Sequence, residues 1–174
     1  NGLGYATAKM MAAQGARVAL LDLERAGPAG AAAKLGQGHS GAHLGVIGDV
    51  TDKASCDRAV AEVVKALGRI DVLVNNAGIT QPRKVVDITP ADYDAVLDVS
   101  LRGTLYMSQA VLPQMRQQQS GSIVCISSVS AQRGGGILGG PHYSAAKAGG
   151  LGLARAISRE CGIDGVRVNC VTPG

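Results

Sequence analysis

Short apolar runs alternate with segments of helical character along the chain, and this alternation constrains the fold more than any other feature. The runs are 16–22 (ARVALLD), 44–50 (LGVIGDV), 70–75 (IDVLVN), 122–127 (SIVCIS) and 166–171 (VRVNCV). Runs this short, rich in Val and Ile and apolar on both faces, are what a buried parallel sheet requires. Helical patterns lie between them. One covers Tyr5 to Gln14. Asp52 can cap a second, in which Val60, Val63, Val64 and Leu67 share a face, and Gly68 stops it. Thr89 followed by Pro90 opens a third, predicted to run to about Met115, with Pro113 kinking or ending it. A fourth is predicted from about His142 to Glu160. Strand, helix, strand, helix throughout predicts an α/β doubly wound fold. With no internal repeat, linker or low-complexity tail, one domain over residues 1–174 is expected.

Composition narrows the function. The chain of 174 residues is 46% hydrophobic and 17% charged, with mean hydropathy +0.15, so it can bury a core and is not disordered. Its net charge is +4, the basic residues are scattered, and the densest pair is Arg83-Lys84. Nucleic-acid binders concentrate positive charge and stack bases on aromatic rings; here there is no Phe, no Trp and only four Tyr. No nucleic-acid partner is expected. No apolar run reaches the ~18 residues of a membrane span, and no charged-then-apolar leader is seen. Cys56, Cys125, Cys161 and Cys170 form no C-x-x-C pair, which suits a reduced cytoplasmic protein with Cys125 and Cys170 as small core residues. His39 and His43 are spaced as half a metal site but have no third ligand nearby, so no metal is expected.

Several motifs point to chemistry. Gly2-Leu3-Gly4, behind Asn1, enters the first helical pattern, and such a turn lets a backbone approach a pyrophosphate at a helix N-terminus. Eighteen residues beyond Gly4, Asp22 ends the first predicted strand. It could accept both ribose hydroxyls of an adenosine and repel a 2′-phosphate, or it could simply cap the next helix. The first reading favours NAD; Arg25 nearby keeps NADP possible. Asn75-Asn76-Ala77-Gly78 ends the third predicted strand and suits close packing against a flat ligand, or an ordinary turn. Tyr143 and Lys147 stand at i and i+4, on one helix face. A Lys charge ~4 Å away, at an effective dielectric of ~20, favours negative charge on the phenol oxygen by ~4 kcal/mol. That makes the phenol a usable general acid or base. Ser127 and Ser128 end the preceding strand, where a hydroxyl could hold a carbonyl oxygen beside the Tyr.

Together these residues resemble the short-chain dehydrogenase/reductase family. The match is carried by Gly2-Leu-Gly4, Asp22, Gly48-Asp49-Val50, Asn75 to Gly78, Ile126-Ser-Ser128, Tyr143-x-x-x-Lys147 and Val168 to Gly174, in family order. The resemblance implies a Rossmann-like sheet and an NAD(P)-dependent oxidoreductase that interconverts an alcohol and a carbonyl. It implies Tyr143 as the proton donor or acceptor. Lys147 would assist it and bond the nicotinamide ribose. Ser128 would orient the substrate oxygen, in preference to Ser127 and Ser130. Gly2, Leu3, Gly4, Asp22, Asp49, Val50, Asn76, Ala77, Gly78, Thr172, Pro173 and Gly174 would contact the cofactor, together with Tyr143 and Lys147. The Gly-rich stretch between Ser128 and Tyr143 (Gly134, Gly135, Gly136, Gly139, Gly140) is a little longer than the common spacing. His142 reads as a plain loop residue, or one that touches substrate. The family is typically tetrameric through its long helices, here about 90–115 and 142–160.

Two departures stand out. Where the family often carries Asn-Leu-x-Gly, this sequence has Ser100-Leu101-Arg102-Gly103. The Asn helps a water-linked proton relay through its main-chain carbonyl, a role Ser100 can keep in part. The sequence also begins within the glycine motif and stops at Pro173-Gly174. In the family's 3-2-1-4-5-6-7 sheet order, a missing first strand would leave a gap between the first and third predicted strands. A fragment of a polypeptide of roughly 250 residues, folding poorly alone, is therefore expected. Asp22 favours an NAD-linked alcohol or polyol oxidation. The alternatives are a 3-oxoacyl-thioester reductase or a non-catalytic dinucleotide-binding homologue.

Overall fold

The computed structural model describes residues 2–36, 43–135 and 139–174. Asn1, His39 and Gly136 of the motifs above lie outside the described residues. The chain divides into two compact units, residues 1–70 and 71–174.

The first unit contains α1 (Gly2–Ala13), β1 (Ala19–Asp22), α2 (Pro28–Ala33), β2 (Leu44–Ile47) and α3 (Lys53–Leu67). β1 and β2 are parallel, with Asp22 paired to Ile47. Both strands are shorter than the sequence predicts. Before β1, the Val18 amide donates to the His43 Nδ1 atom (3.1 Å) instead of joining the ladder. After β2, the Asp49 Oδ1 atom accepts from the Thr51 amide (2.9 Å) and hydroxyl (2.7 Å), folding 48–51 into a turn. The Asp52 side chain caps α3 by accepting from the Ala54 amide, and Gly68 ends it at φ 83°. The predicted face of α3 is buried at Val60 and half-buried at Val63, Val64 and Leu67. The sequence reading offers only a next helix that Asp22 could cap and gives α2 no range. α2 packs against β2 so closely that a Cβ on Gly45 would meet the Ala29 backbone.

The second unit contains β3 (Val72–Asn75), α4 (Pro90–Leu97), α5 (Gly103–Gln118), β4 (Gly121–Ile126), α6 (Ser130–Arg133), α7 (Pro141–Cys161) and β5 (Val166–Val171). Its strands are all parallel in the order β3-β4-β5. Among the described residues β1 pairs only with β2, and β3 only with β4. Thr89 caps α4 as predicted, with Pro90 in the first turn, and it also exchanges bonds with Asp92 in a capping box that the sequence reading did not foresee. A π-helical turn over Asp98–Arg102 joins α4 to α5, the Gly103 amide donating to the Asp98 carbonyl. Pro113 does not end this helix, which runs on to Gln118. The core of the unit centres on Met115, Ile123, Val96, Val111 and Val166. Cys125 is buried as expected, and Cys170, its register partner on β5, is half-buried.

Candidate active site

The ends of β3, β4 and β5 in the second unit lie next to one another, and α7 runs beside them. Lys147 and Tyr143 sit one helical turn apart on α7. The Lys147 ammonium is 5.8 Å from the centre of the Tyr143 ring and donates to the carbonyl of Ile126, the last residue of β4, at 2.7 Å. Lys147 is only 6% exposed, and burial lowers its pKa below that of a free lysine. Tyr143 is half-buried. Its ring lies over Gly139, where a Cβ would stand 2.6 Å from the ring's Cδ1 atom.

The three serines after β4 are used differently. Ser127 is buried and donates to the Lys147 carbonyl at 2.9 Å, so its hydroxyl is committed to holding α7. Ser130 is buried at the start of α6. Ser128 is half-buried, and its oxygen accepts from the Ser130 amide at 3.1 Å. The Ser128 O–H can still donate outward, which is what orienting a substrate oxygen requires. The Ser127 amide donates to the Val171 carbonyl (2.8 Å) and the Val129 amide to the Pro173 carbonyl (3.0 Å). Pro173 and Gly174 are thereby held against the serine turn.

β3 delivers the third part. Asn75 is buried and donates to the Ser108 hydroxyl at 3.2 Å; Asn76 is half-buried, and Ala77 and Gly78 are exposed. A Cβ on Gly78 would stand 3.1 Å from the Lys147 Nζ atom and 3.5 Å from the Ser100 Oγ atom. Glycine there lets the chain pass directly beside the ammonium. Ser100, in the π-helical turn, is 3% exposed. Its hydroxyl accepts from the Ile79 amide (3.3 Å) and lies 3.5 Å from the Ile79 carbonyl, to which it can donate. Its own carbonyl accepts from the Thr104 hydroxyl at 3.3 Å.

Ser128, Tyr143, Lys147, Ser100, Asn76, Ala77, Gly78, Pro173 and Gly174 thus all belong to the second unit. Gly2, Leu3, Gly4, Asp22, Asp49 and Val50 belong to the first. Within it, the Gly48 amide donates to the Asp22 carbonyl at 3.0 Å, so Asp22 and the 48–50 turn are neighbours. Asp22 is exposed, and its Oδ1 atom accepts from the Leu23 amide at 2.8 Å. Gly2 opens α1 at φ 64°, with nothing within 4 Å of its missing Cβ among the described residues. His43 spends its Nδ1 atom on the Val18 amide, and no group of three or more His, Cys, Asp or Glu is placed to hold a metal among the described residues. The sequence reading missed the Ile126 carbonyl, a main-chain group that no residue type announces. Of its two readings of His142, the loop residue is corrected: His142 lies in the first turn of α7, where the helix was predicted to start, and is 2% exposed.

The family model for short chain dehydrogenases matches residues 1–174. The chain belongs to this family. It is 56% identical over its full length to the uncharacterized short-chain type dehydrogenase/reductase y4mP of Sinorhizobium fredii, covering 69% of that protein. It is 41% identical, again over its full length, to an acetoacetyl-CoA reductase of Synechocystis, covering 67% of it. A crystal structure assigned to a short-chain dehydrogenase/reductase of Burkholderia xenovorans superposes with a TM-score of 0.91 and 38% identity, covering 99% of this chain and 68% of that one. The fold is therefore the Rossmann-like α/β fold of short-chain dehydrogenases, whose members are NAD(P)-binding oxidoreductases. No helix among the described residues is long and apolar enough to cross a membrane.

Proposed function

We propose that this short-chain dehydrogenase interconverts an alcohol and a carbonyl, with NAD as its cofactor and Tyr143 as the general acid or base. The observation that carries the reading is the Lys147 ammonium, buried beside the Tyr143 ring and held by the Ile126 carbonyl. A buried ammonium has three N–H bonds to satisfy, and one goes to Ile126. The hydroxyls of a nicotinamide ribose would accept from the others, so the site suits that group. When bound, the cofactor supplies hydride transfer to or from the substrate carbon.

The chain's own residues handle the proton and the geometry. In oxidation, the Tyr143 oxygen takes the proton of the substrate hydroxyl; in reduction, it returns one to the oxygen of the forming alcohol. The charge of Lys147 favours the negative charge that develops on the Tyr143 oxygen. The Ser128 O–H donates to the substrate oxygen and orients it. Ser100 holds Ile79, and through it the strand end beside Lys147. We assign the cofactor contacts to Gly2, Leu3, Gly4, Asp22, Asp49, Val50, Asn76, Ala77, Gly78, Pro173 and Gly174, as family resemblance implies. Asp22, exposed at the end of β1, supports NAD over NADP because a second carboxylate oxygen can accept from a ribose hydroxyl and would repel a phosphate.

The preferred substrate is an alcohol or polyol. A second reading, reduction of a 3-oxoacyl thioester, is favoured by the 41% identity to an acetoacetyl-CoA reductase. Absorbance at 340 nm decides between them. NAD and NADP are tested separately against polyols, secondary alcohols and 3-oxo thioesters, with Tyr143→Phe as control. Turnover with NAD and an alcohol that disappears in the variant is expected. Tight NADH binding without turnover of any substrate would overturn the catalytic reading.

A further inference from the structure

His142 directly precedes Tyr143 and takes no part in the chemistry proposed above, yet it is 2% exposed. Its Nε2 atom lies 3.1 Å from the Gln81 Oε1 atom, while its Nδ1 atom is buried without a hydrogen-bond partner among the described residues. An amide oxygen only accepts, so Nε2 carries a proton and donates it to Gln81. A buried polar side chain with half its hydrogen-bonding capacity unmet is costly to keep, and among the described residues this one makes one specific bond.

That bond falls at a crowded junction. The Gly140 amide, at the cap of α7, donates to the Gln81 carbonyl at 3.0 Å. A Cβ on Gly140 would stand 2.8 Å from the Arg83 carbonyl oxygen and 2.9 Å from the His142 Cε1 atom. Gln81 is thus gripped twice, through its backbone by the helix cap and through its side chain by His142. The Tyr143 ring rests on the adjoining Gly139. Successive residues of a helix point about 100° apart. Anchoring His142 on one side therefore fixes the direction in which Tyr143 leaves the helix. The segment that carries Gln81 begins at Gly78 and Ile79, the residues packed beside Lys147 and held by Ser100. One stretch of chain thereby registers both members of the Tyr143–Lys147 pair.

We propose that His142 is a positioning residue: its Nε2–H, donated to Gln81, pins the first turn of α7 and sets the seat of the Tyr143 ring. The inference rests on Tyr143 being the proton-transferring group. The test uses the intact protein with His142→Leu, Gln81→Leu, the double variant and His142→Gln, whose amide N–H reaches about as far as Nε2. Misplacing a catalytic group by ~1 Å can cost ~100-fold, so His142→Leu and Gln81→Leu are each expected to lower kcat by at least ~10-fold. The KM for NAD should stay within about twofold, the double variant should be no slower than either single one, and His142→Gln should recover most of kcat. Unchanged kcat in His142→Leu, or losses that multiply in the double variant, would overturn the proposal. If the wild type turns over no alcohol or carbonyl, the dehydrogenase reading itself fails. The positioning claim is then decided by the ring 13C resonances of Tyr143. They must shift in both single variants and return in His142→Gln, and unshifted resonances would overturn it.

Discussion

Gly78→Ala places a methyl group against the most constrained charge in the site. The new carbon would stand 3.1 Å from the Lys147 Nζ atom. Comfortable contacts between such heavy atoms begin near ~3.5 Å, so the ammonium must retreat by about 0.4 Å or more. It starts from a bond of 2.7 Å to the Ile126 carbonyl. Stretched by that amount it nears ~3.2 Å, the outer limit of a good hydrogen bond. Hydrogen bonds to charged groups contribute ~1.5–3 kcal/mol net, and losing about half of that is ~0.75–1.5 kcal/mol. If the loss falls on the transition state, kcat drops by about 4- to 12-fold. The assay is initial-rate kinetics at 340 nm with the preferred alcohol and NAD, varying each in turn. The expected pattern is a lower kcat with a KM for alcohol within about twofold of wild type. A kcat within twofold of wild type would refute the reasoning, because it would mean that the Lys147 ammonium moves freely at no cost to the chemistry.

The serines differ in catalysis more than in stability: Ser127→Ala should cost ~1 kcal/mol in urea unfolding, from the bond to the Lys147 carbonyl, and Ser128→Ala ~0.5–1 kcal/mol, from the bond its oxygen accepts from the Ser130 amide. Ser128→Ala should also lower kcat by ~100-fold, as expected for loss of a donor to the reacting oxygen. Burial lowers the Lys147 pKa, so between its native value and that of a free lysine the folded chain holds fewer protons than the unfolded one. Its contribution to stability therefore rises with pH across that window, and wild type should gain on Lys147→Met in urea titrations run from about pH 8 to about pH 11. Gly45→Ala should destabilise by at least ~1–3 kcal/mol, because the Ala29 backbone it would strike cannot move aside as a side chain could. An unchanged urea midpoint would refute that.

Much of this architecture is legible in the sequence because the signals are local. Thr89-Pro90 announces the start of α4, and Asp52 and Gly68 mark the ends of α3, each through its own backbone chemistry. β5 spans the predicted residues 166–171 because its whole length is paired with β4. Where tertiary partners decide, local reading falls short. The His43 ring ends the β1 ladder from 25 residues away, and α2 exists because Gly45 lets it approach β2. Pro113 sits inside a helix held by the packing of Val111, Leu112 and Met115, which outweighs its missing amide. At the site, the spacing of Tyr143 and Lys147 is readable, since i and i+4 meet on any helix. The acceptor for Lys147 is a carbonyl of another element, and Gln81 meets His142 across 61 residues. Neither partner has a sequence signature.

The π-helical turn at Asp98–Arg102 has a bearing on how this chain could tolerate changes in length. Such a turn holds one residue more than a regular helix would use over the same path. Deleting a single residue between 98 and 102 could therefore be absorbed without breaking the helix, by relaxing the turn to regular geometry. The flanking helices would keep nearly the same phase, because the π turn spreads its surplus residue over one wider turn. Ser108, in α5, would then still meet Asn75, whereas Ser100, inside the turn, would lose its place beside Ile79. The surplus residue thus sets a local contact without disturbing the helix that follows it.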